Sequence, residues 1–275
     1  MKALVTGCNG FIGRHVVQRL CDYGGDVCEY GGDVRHPIDA AGPVDVVIHL
    51  AAVARGDAFQ SSPAAAYETN VVGTYNVLEY CQRNRARCVF ASTSAVYGPR
   101  QSDDPIAESQ ALDPRNPYAL SKYLAERICA EWARVAGGSV VILRLFNVYG
   151  RGQRQSFIVP YLVEQLRNGS AVRLENPDSI RDLVHVEDVA ESFRLAAQLA
   201  PPATSIFNIG TGRGVSVRDL ASAVASAAGA ALDLEPAADC DSRPDIVVAD
   251  TSRARERLGW RAAISLEDGL RRLVP

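Results

Sequence analysis

Residues 2–13 read Lys-Ala-Leu-Val-Thr-Gly-Cys-Asn-Gly-Phe-Ile-Gly. The apolar residues over 2–6 predict a buried strand, and apolar side chains at helical spacing over 11–23 predict a helix soon after it. Between the two, glycines recur at every third position. Such glycines permit a tight turn, close approach of a pyrophosphate and close packing of helix on strand. The sequence therefore predicts a dinucleotide-binding unit, with the pyrophosphate at the helix N-terminus.

The rest of the chain continues the alternation of strand and helix. Further strands are predicted at 26–30, 44–50, 88–92, 139–145 and 205–209. Helices are predicted near 64–84, from Pro117 to about 136 with Asn116 as N-cap, and over 183–199. Buried strands that alternate with helices predict an α/β fold, with a Rossmann-like, doubly wound parallel sheet and helices on both faces.

The composition changes after Gly150, where elements become shorter and Gly, Arg, Gln and Asn increase. This change predicts a smaller C-terminal α/β substrate-binding domain. We expect residues 1–150, completed by about 182–209, to form the dinucleotide-binding domain. Residues 151–181 and 210–275 are then expected to form the smaller, substrate-binding domain.

Composition excludes several classes of function. The chain has 275 residues, 47% hydrophobic, with a net charge of −3 and no block of basic residues, so we expect no nucleic-acid partner. It shows neither a signal-peptide pattern nor an apolar run long enough for a membrane helix, so we expect a cytoplasmic protein without membrane contact. The seven cysteines lack metal-binding spacing. They predict reduced, structural thiols and no metal site.

The dinucleotide fingerprint is incomplete at the end of the second strand. An acidic residue normally lies there and binds the adenosine ribose, but this chain has Gly31. Asp33 follows and is expected to contact ribose or adenine. Arg35 either meets the 2′-phosphate of NADP or belongs to a solvated turn. We therefore expect NAD or NADP as cofactor, with a slight preference for NADP.

Two further stretches carry groups suited to redox chemistry. Residues 90–98 read Phe-Ala-Ser-Thr-Ser-Ala-Val-Tyr-Gly, which places hydroxyls at the carboxyl end of a strand, where open α/β sheets bind ligands. On the helix that follows, Tyr118 and Lys122 share one face. A nearby ammonium stabilises a phenolate and lowers the pKa of the tyrosine. The phenol can then exchange a proton with a sugar oxygen held by Thr93 while a hydride moves at the same carbon.

These motifs resemble the extended short-chain dehydrogenases/reductases, in particular the NAD-dependent epimerase/dehydratase family that acts on nucleotide sugars. The resemblance covers nearly the whole chain. Besides the glycine turn and Tyr118-x-x-x-Lys122, the matching motifs are His49-Leu50-Ala51-Ala52, Asn70-Val71-x-Gly73-Thr74, Ser92-Thr93-Ser94-x-Val96-Tyr97-Gly98, Arg144-Leu145-Phe146-Asn147-Val148-Tyr149-Gly150, Arg181-Asp182-Leu183-Val184-His185, Asn208-Ile209-Gly210 and Leu258-Gly259-Trp260.

The resemblance implies an enzyme with Tyr118 as acid/base, Lys122 on the nicotinamide ribose and Thr93 near the sugar O4. The expected dinucleotide contacts are Gly7, Asn9, Gly10, Phe11, Ile12, Gly13, Asp33, Val34, Arg35, Leu50, Ala51, Ala52, Asn70, Ser92, Tyr118 and Lys122. The expected substrate contacts are Ser94, Asn147, Arg181 and Arg243, of which the arginines suit a diphosphate. His49 and His185 lie in apolar runs, and we expect both to be structural.

Several reactions of the family are open to this chain. Dehydratases and decarboxylating members have an acid after the catalytic threonine, where this chain has Ser94 and Ala95, so these reactions are disfavoured. The short region between Glu29 and the strand at 44–50 is similar to that of reductases of nucleotide-bound 4-keto-6-deoxyhexoses, which we favour slightly. The residues over 92–98 suit a UDP-glucose-type 4-epimerase, which is the alternative.

Two further expectations concern the whole chain. A dinucleotide sensor without turnover is disfavoured, because such members of the fold usually lack the Tyr/Lys pair. Members of the family usually form homodimers through two helices of each subunit, which correspond here to about 67–84 and 118–136.

Overall fold

The computed structural model describes residues 1–40, 42–54, 59, 61–100, 102–169, 171–199, 203–235 and 244–274. The strands of these residues are β1 (Lys2–Thr6), β2 (Asp26–Tyr30), β3 (Val46–His49), β4 (Arg87–Thr93), β5 (Val140–Leu145), β6 (Asn147–Tyr149), β7 (Ile180–His185), β8 (Thr204–Ile209), β9 (Gly214–Ser216) and β10 (Ile246–Val247). The helices are α1 (Phe11–Asp22), α2 (Pro63–Tyr67), α3 (Gly73–Asn84), α4 (Pro117–Ala136), α5 (Ile158–Arg167), α6 (Val186–Gln198), α7 (Val217–Ala228) and α8 (Leu266–Arg271).

The main sheet has the strand order β2-β1-β3-β4-β5-β8, and all its pairs are parallel. Strands β3 and β5 are buried along their whole length, as expected of apolar strands covered on both faces. One face packs against α1 and α6, through side chains such as Val16 and Phe193. The other packs against α3 and α4, through side chains such as Val77 and Ala125. The predicted α/β, doubly wound sheet is confirmed.

Helix α4 begins and ends where its sequence predicts. The Asn116 side chain accepts a hydrogen bond from the backbone N–H of Ala119 at 2.8 Å, and Pro117 occupies the first turn. Proline suits this position because its missing N–H would have no helical partner there. Gly137 ends the helix with a left-handed φ of 66°. The catalytic candidates thus lie on a helix with a fixed start.

Helices α2 and α3 are joined by a π-helical segment over Glu68–Val72, so that one nearly continuous helix runs from 63 to 84. The sequence predicted an uninterrupted helix here. A π segment inserts an extra residue per turn and is common at functional sites. Here it carries Asn70, whose buried side chain faces the loop after β3.

A second, smaller sheet has the order β10-β7-β6, with β9 antiparallel to β7. It packs with α5, α7 and α8 around a separate apolar cluster that includes Leu162, Val172 and Leu220. Strand β6 lies within the range 1–150, yet it pairs with β7 and so belongs to this smaller sheet.

The predicted helix over 183–199 is wrong at its start. Strand β7 extends through Leu183–His185, and α6 begins at Val186. Short apolar runs do not distinguish helix from buried strand by periodicity alone. The pairing of Leu183 with Asn147 on β6 decides the conformation here. His185 then becomes the N-cap of α6, and its Nδ1 accepts a hydrogen bond from the Glu187 N–H at 3.3 Å.

Among the described residues, no helix is both long and apolar enough to cross a membrane. The described cysteines are free thiols. Burial raises the pKa of Cys81 and of Cys129 well above the usual thiol value. These two cysteines therefore remain neutral and act as small apolar side chains between α3, β4 and α4.

Candidate active site

The glycine turn fits the approach of a phosphate. Gly7 has a left-handed φ of 68°, and a Cβ on it would lie 2.6 Å from the backbone nitrogen of Ala51. A Cβ on Gly13 would overlap the carbonyl oxygen of Gly7. Gly10 is the N-cap of α1 and offers no capping side chain, so the first N–H groups of the helix are free of side-chain partners. The turn therefore has the shape and polarity expected of a pyrophosphate cradle.

A cleft of about 970 Å³ opens at this turn and crosses the carboxyl ends of β1, β3, β4 and β5. We refer to it as the main cleft. Ten of the predicted dinucleotide contacts line it, namely Gly7, Gly10, Phe11, Ile12, Gly13, Leu50, Ala52, Ser92, Tyr118 and Lys122. Residues from separate stretches of the chain thus meet along one groove.

Asn70 does not line the main cleft. Its side-chain oxygen accepts from the Val53 N–H at 2.7 Å, and its amide donates to the Val53 carbonyl and the Ser121 hydroxyl, both at 2.8 Å. The amide is therefore fully engaged within the protein. Since Val53 itself lines the main cleft, Asn70 positions the wall of the cleft.

The other predicted contacts outside the lining are Asn9, Asp33, Val34, Arg35 and Ala51. The Ala51 N–H donates to the Thr6 hydroxyl at 3.3 Å, which ties the end of β3 to β1. Val34 is buried against the start of α3, and its carbonyl accepts from Asn76 at 2.9 Å.

Asp33 and Arg35 form an ion pair at the surface beyond β2. The Arg35 Nε donates to Asp33 Oδ2 at 2.8 Å, and the Arg35 backbone N–H donates to Oδ1 at 3.0 Å. These bonds hold the pKa of Asp33 at about 2, so its carboxylate is ionised at any physiological pH. Glu68 lies 4.0 Å from the same guanidinium. Two carboxylates thus surround one arginine at the place where an adenosine ribose is expected.

Tyr118 and Thr93 meet in the main cleft. Thr93 ends β4 and Tyr118 lies in the first turn of α4, and both line the cleft. Burial raises the pKa of Tyr118 to about 12, while a hydrogen-bonding interaction with the Thr93 hydroxyl opposes the rise. The predicted lowering of this pKa by Lys122 is therefore wrong for the free protein, in which the phenol is protonated at neutral pH because burial dominates. It can donate a proton to an oxygen placed between these two side chains.

Lys122 lies one turn further along α4 and is 2% exposed. Its ammonium stands 4.1 Å from the ring centre of Phe90 on β4, a cation–π contact. Burial lowers the pKa of Lys122 to about 8, and the neighbouring Cys129 and Glu126 side chains oppose this shift. Tyr118 and Lys122 therefore share one face of α4, as predicted, and both line the main cleft.

The far end of the main cleft carries most of the predicted substrate residues. Ser94, Asn147 and Arg181 line it. Arg181 donates to Asp245 Oδ1 at 2.8 Å and to the Asp245 carbonyl at 3.0 Å, so its guanidinium is already fixed. Arg243 lies outside the described residues.

Three further residues of the main cleft were not predicted from the sequence. Arg115, Arg154 and Phe157 also line it. Phe157 is 43% exposed and occupies the N-cap of α5, a position where polar residues are preferred. An aromatic residue at a helix N-cap is unusual, and this is the signal by which Phe157 could have been identified.

A buried polar network lies behind the catalytic candidates, and of its members only Ser92 was predicted as a site residue. The Glu126 carboxylate accepts from Ser92 at 2.5 Å and forms a two-pronged ion pair with Arg144, at 3.0 and 2.7 Å. Arg144 also donates to the Tyr97 hydroxyl at 2.9 Å, which in turn donates to Asn208 at 2.7 Å. The sequence did contain a sign of this network, because Arg144 is the only charged residue in the otherwise apolar strand β5.

The two buried histidines have structural partners. His49 joins Thr6 at 2.8 Å to Thr74 at 3.1 Å, and burial lowers its pKa to about 3, so the ring is neutral. Thr74 donates its own proton to the Asn70 carbonyl, so it accepts from the His49 Nε2–H. His185 packs edge-on against Tyr149, and burial lowers its pKa to about 4. Among the described residues, no group of His, Cys, Asp and Glu is arranged to hold a metal.

Relatives of known structure share both the fold and the length of the chain. The UDP-glucose 4-epimerase of Thermus thermophilus, solved in complex with NAD, superposes with a TM-score of 0.86 at 29% identity, over 98% of this chain and 97% of that one. The protein named RMD of Pseudomonas aeruginosa, solved with NADPH, superposes with a TM-score of 0.88 at 25% identity, over 99% and 97%.

Sequence comparison leads to the same group of proteins. A putative UDP-glucose 4-epimerase of Methanocaldococcus jannaschii is 31% identical over 98% of this chain and 96% of its own length. The GDP-6-deoxy-D-mannose reductase of Pseudomonas aeruginosa is 29% identical over 99% and 96%. The model of the NAD dependent epimerase/dehydratase family matches residues 3–210. This chain is therefore an enzyme of the NAD-dependent epimerase/dehydratase family.

Proposed function

We propose that this enzyme carries out NAD(P)-dependent oxidoreduction at C4 of a nucleoside-diphosphate sugar. The observation that carries the proposal is the meeting of Tyr118, Thr93 and Lys122 in one cleft, between the glycine cradle and the arginine-bearing end. Phenol, hydroxyl and ammonium together form a set that can move a proton at a carbonyl or alcohol oxygen. The dinucleotide, when bound, supplies or accepts the hydride at the adjoining carbon.

The chain's own residues have separate tasks in this proposal. Thr93 holds the sugar O4 by a hydrogen bond. Tyr118 donates its proton to that oxygen when a ketone is reduced, and accepts it back when an alcohol is oxidised. Lys122 binds the nicotinamide ribose, and its positive charge lowers the pKa of the phenol when ligands fill the cleft.

At the substrate end, Arg181 is proposed to bind the diphosphate, with Asn147 and Ser94 beside it. Its hold on Asp245 orients the guanidinium before a ligand arrives, which limits the entropy lost on binding. Arg243, two residues before Asp245 in the sequence, is proposed to assist.

Reduction of a 4-keto-6-deoxyhexose nucleotide is the finer function that we favour. In the free enzyme Tyr118 is a protonated phenol, which is the form that a ketone reduction requires. The connection from β2 to β3 is a loop without helix or strand among its described residues, which agrees with the shortened region of such reductases. The similarity to the Pseudomonas reductase adds support.

A 4-epimerase is the second candidate, and one observation favours it. Asp33 and Glu68 flank Arg35, so two carboxylates oppose one guanidinium where a 2′-phosphate would lie. This charge balance disfavours NADP and favours NAD. An epimerase uses bound NAD in both directions within one turnover, whereas a reductase consumes NADPH.

Dehydration remains disfavoured. Asp245 is the only carboxylate among the described residues that line the main cleft, and it is paired with Arg181. Ser94 and Ala95 follow Thr93 in a short 3-10 turn, so this part of the cleft has no acid to protonate a leaving hydroxyl.

One experiment separates the two candidates. The purified enzyme is analysed for co-purified dinucleotide and then mixed with NADPH and a 4-keto-6-deoxy nucleotide sugar, with absorbance followed at the nicotinamide band. Steady NADPH consumption is expected of the reductase. Tightly held NAD with interconversion of two 4-epimeric sugars, and no NADPH consumption, would exclude the reductase and establish the epimerase. Absence of both reactions would count against C4 chemistry altogether.

A further inference from the structure

Lys122 is one of two lysines in the chain, the other being Lys2 at the start of β1. At 2% exposure it is an unusual residue to bury, because removing an ammonium from water is costly without compensation. The Phe90 ring compensates on one side of the amine. A carboxylate on the same helix is also buried.

Glu126 follows Lys122 by one helical turn and is also buried, at 4% exposure. Residues four apart on a helix lie on the same face. The Glu126 carboxylate is immobile, because Ser92 and Arg144 together make three hydrogen bonds to its two oxygens. It is therefore a fixed negative charge on the same buried face as the amine.

The partners of Glu126 come from aligned positions of the main sheet. Ser92 on β4 is level with Arg144 on β5, and Arg144 is level with Asn208 on β8. The Tyr97 hydroxyl joins Arg144 to Asn208. One row of side chains thus ties α4 to three strands, directly behind Thr93, the next residue after Ser92.

A buried ion pair is weak evidence for stability, since apolar residues of similar size often stabilise a core equally well. The location of this pair suggests another purpose. We propose that Glu126 is a positioning residue for the reaction, whose fixed carboxylate keeps the Lys122 amine charged in the main cleft. The inference rests on the proposed function only in assigning Lys122 a role in binding the dinucleotide.

The other groups around Lys122 leave Glu126 as its source of negative charge. From β3, His49 is neutral because burial lowers its pKa to about 3. From α4, Tyr118 and Cys129 are neutral because burial raises the pKa of each. Ser92 and Phe90 of β4 are uncharged, and Arg144 of β5 is positive and already paired.

The presence of only two lysines allows a direct test by NMR. Protein labelled with ¹³C at the lysine ε-carbon gives two signals, and their shifts are followed from pH 6 to 11 in the wild type and in Glu126→Gln. We expect Lys122 to titrate near pH 8 in the wild type. Without the carboxylate, its midpoint should fall by about one pH unit or more. Lys2 serves as an internal reference and should not move.

Tyr97→Phe is the matched control. It removes the hydroxyl that links Arg144 to Asn208 but leaves the Glu126 charge in place. If the network acts only as a structural tie, both variants lose thermal stability and neither shifts the Lys122 midpoint, and the proposal is then overturned. Glu126→Gln leaves Arg144 buried without a counter-ion, which is destabilising. Should it fail to fold, Glu126→Leu/Arg144→Met removes both charges of the pair. The Lys122 midpoint should then still fall, though by less, because loss of the Arg144 charge partly opposes the shift, and an unchanged midpoint would again overturn the proposal.

A second measurement connects the charge to the cleft without an activity assay. Affinity for NADH or NADPH, whichever binds, is measured by fluorescence at pH 6 and pH 8.5. Glu126→Gln should weaken binding several-fold at pH 8.5 and little at pH 6. In a Lys122→Met background the same change should have no further effect, since Glu126 acts through Lys122. An equal loss in both backgrounds would refute the proposal, whereas absence of dinucleotide binding by the wild type would refute the proposed function instead.

Discussion

At the scale of single residues, the main cleft holds an acid–base pair whose two members are both shifted by burial. Tyr118 is held protonated and Lys122 is held close to losing its proton. Both shifts arise because the charged form of each group is poorly solvated inside the protein. Burial of these two side chains therefore sets their protonation states and, for Lys122, lowers the stability of the fold.

Replacement of Tyr118 tests the proton donor. Tyr118→Phe keeps the ring and removes the phenol, so the rate should fall by about 10²- to 10⁴-fold with unchanged thermal unfolding. Tyr123→Phe, on the same helix, is the control and should retain activity. Steady-state rates on the substrate that the wild type accepts measure both. A Tyr118→Phe enzyme with near-wild-type turnover would contradict the assignment.

Replacement of Lys122 tests how much the buried ammonium lowers the free energy of unfolding. Its pKa is lowered to about 8 in the folded state, from an ordinary value of 10.5, so the unfolded chain binds the proton more tightly. The fold is therefore destabilised below about pH 8, and stability is regained as pH rises from 8 to 10.5. Lys122→Met should raise the free energy of unfolding at pH 7 by up to about 3 kcal/mol. Denaturant titrations at pH 7 and pH 10.5 should show the gain only at the lower pH.

The Asp33–Arg35 pair sets the expected choice between dinucleotides. Asp33→Ala frees the guanidinium and should raise the ratio of NADPH affinity to NADH affinity, whereas Arg35→Ala should lower it. Dissociation constants from fluorescence titration give both ratios, and the double variant reports the binding that remains without the pair. If neither single variant changes the ratio, these residues do not contact the ribose end of the cofactor.

At the scale of secondary-structure elements, polar side chains fix the helices relative to the ends of the strands. Asn70 joins the π-helical segment to the loop after β3 and to α4. Asn116 starts α4, and the Glu126 ion pair fastens its middle to β4 and β5. The elements that carry the reactive groups are therefore held by directional bonds as well as by apolar packing.

Removal of the Asn70 side chain tests this element-level tie. Asn70→Ala leaves the Val53 N–H and carbonyl without partners, and should destabilise the fold by about 2–4 kcal/mol. It should also weaken dinucleotide binding, because Val53 lines the main cleft. The control is Asn76→Ala on α3, which removes one hydrogen bond to the Val34 carbonyl. It is expected to lower the free energy of unfolding by about 1 kcal/mol and to leave dinucleotide binding unchanged. Equal effects of the two variants would contradict the special role of Asn70.

At the scale of the whole molecule, one surface of the main domain remains apolar. Val72 and Tyr75 are 45% and 51% exposed on the helical run from 63 to 84, and Leu120 and Leu124 are 39% and 38% exposed on α4. The two helices pack against each other. Clusters of exposed apolar side chains often mark protein interfaces. We propose that this face joins two copies of the chain, as the family resemblance implies.

A charge on this face tests the dimer. Leu124→Glu should raise the dimer dissociation constant by at least about 30-fold, the equivalent of 2 kcal/mol at an interface centre. Sedimentation velocity over a concentration series measures the change. Tyr23→Ser, which removes an exposed aromatic side chain outside this face, should leave the association unchanged. A wild-type chain that sediments as a monomer at high concentration would refute the dimer.

The local motifs determined most of what could be predicted from the sequence. The strand, glycine turn and helix over 2–22, and the capped helix from Pro117, fold as their sequences predict. Glycine spacing, helix caps and apolar periodicity act over a few residues, and a single sequence contains that information in full. The pairing of Tyr118 with Lys122 is likewise a property of one helix.

Tertiary structure alone decided which distant groups pair and which elements change their type. Leu183–His185 became a strand because β6 lay beside it, and Arg144 became the partner of Glu126 because β5 passes beneath α4. Arg35 pairs with Asp33 and lies 4.0 Å from Glu68, a residue of a separate helical segment. Each outcome depends on the burial and charge of residues that the fold brings together from separate parts of the chain. Local pattern therefore identified the reactive groups, whereas their protonation states and their supports follow from the environment that only the folded chain creates.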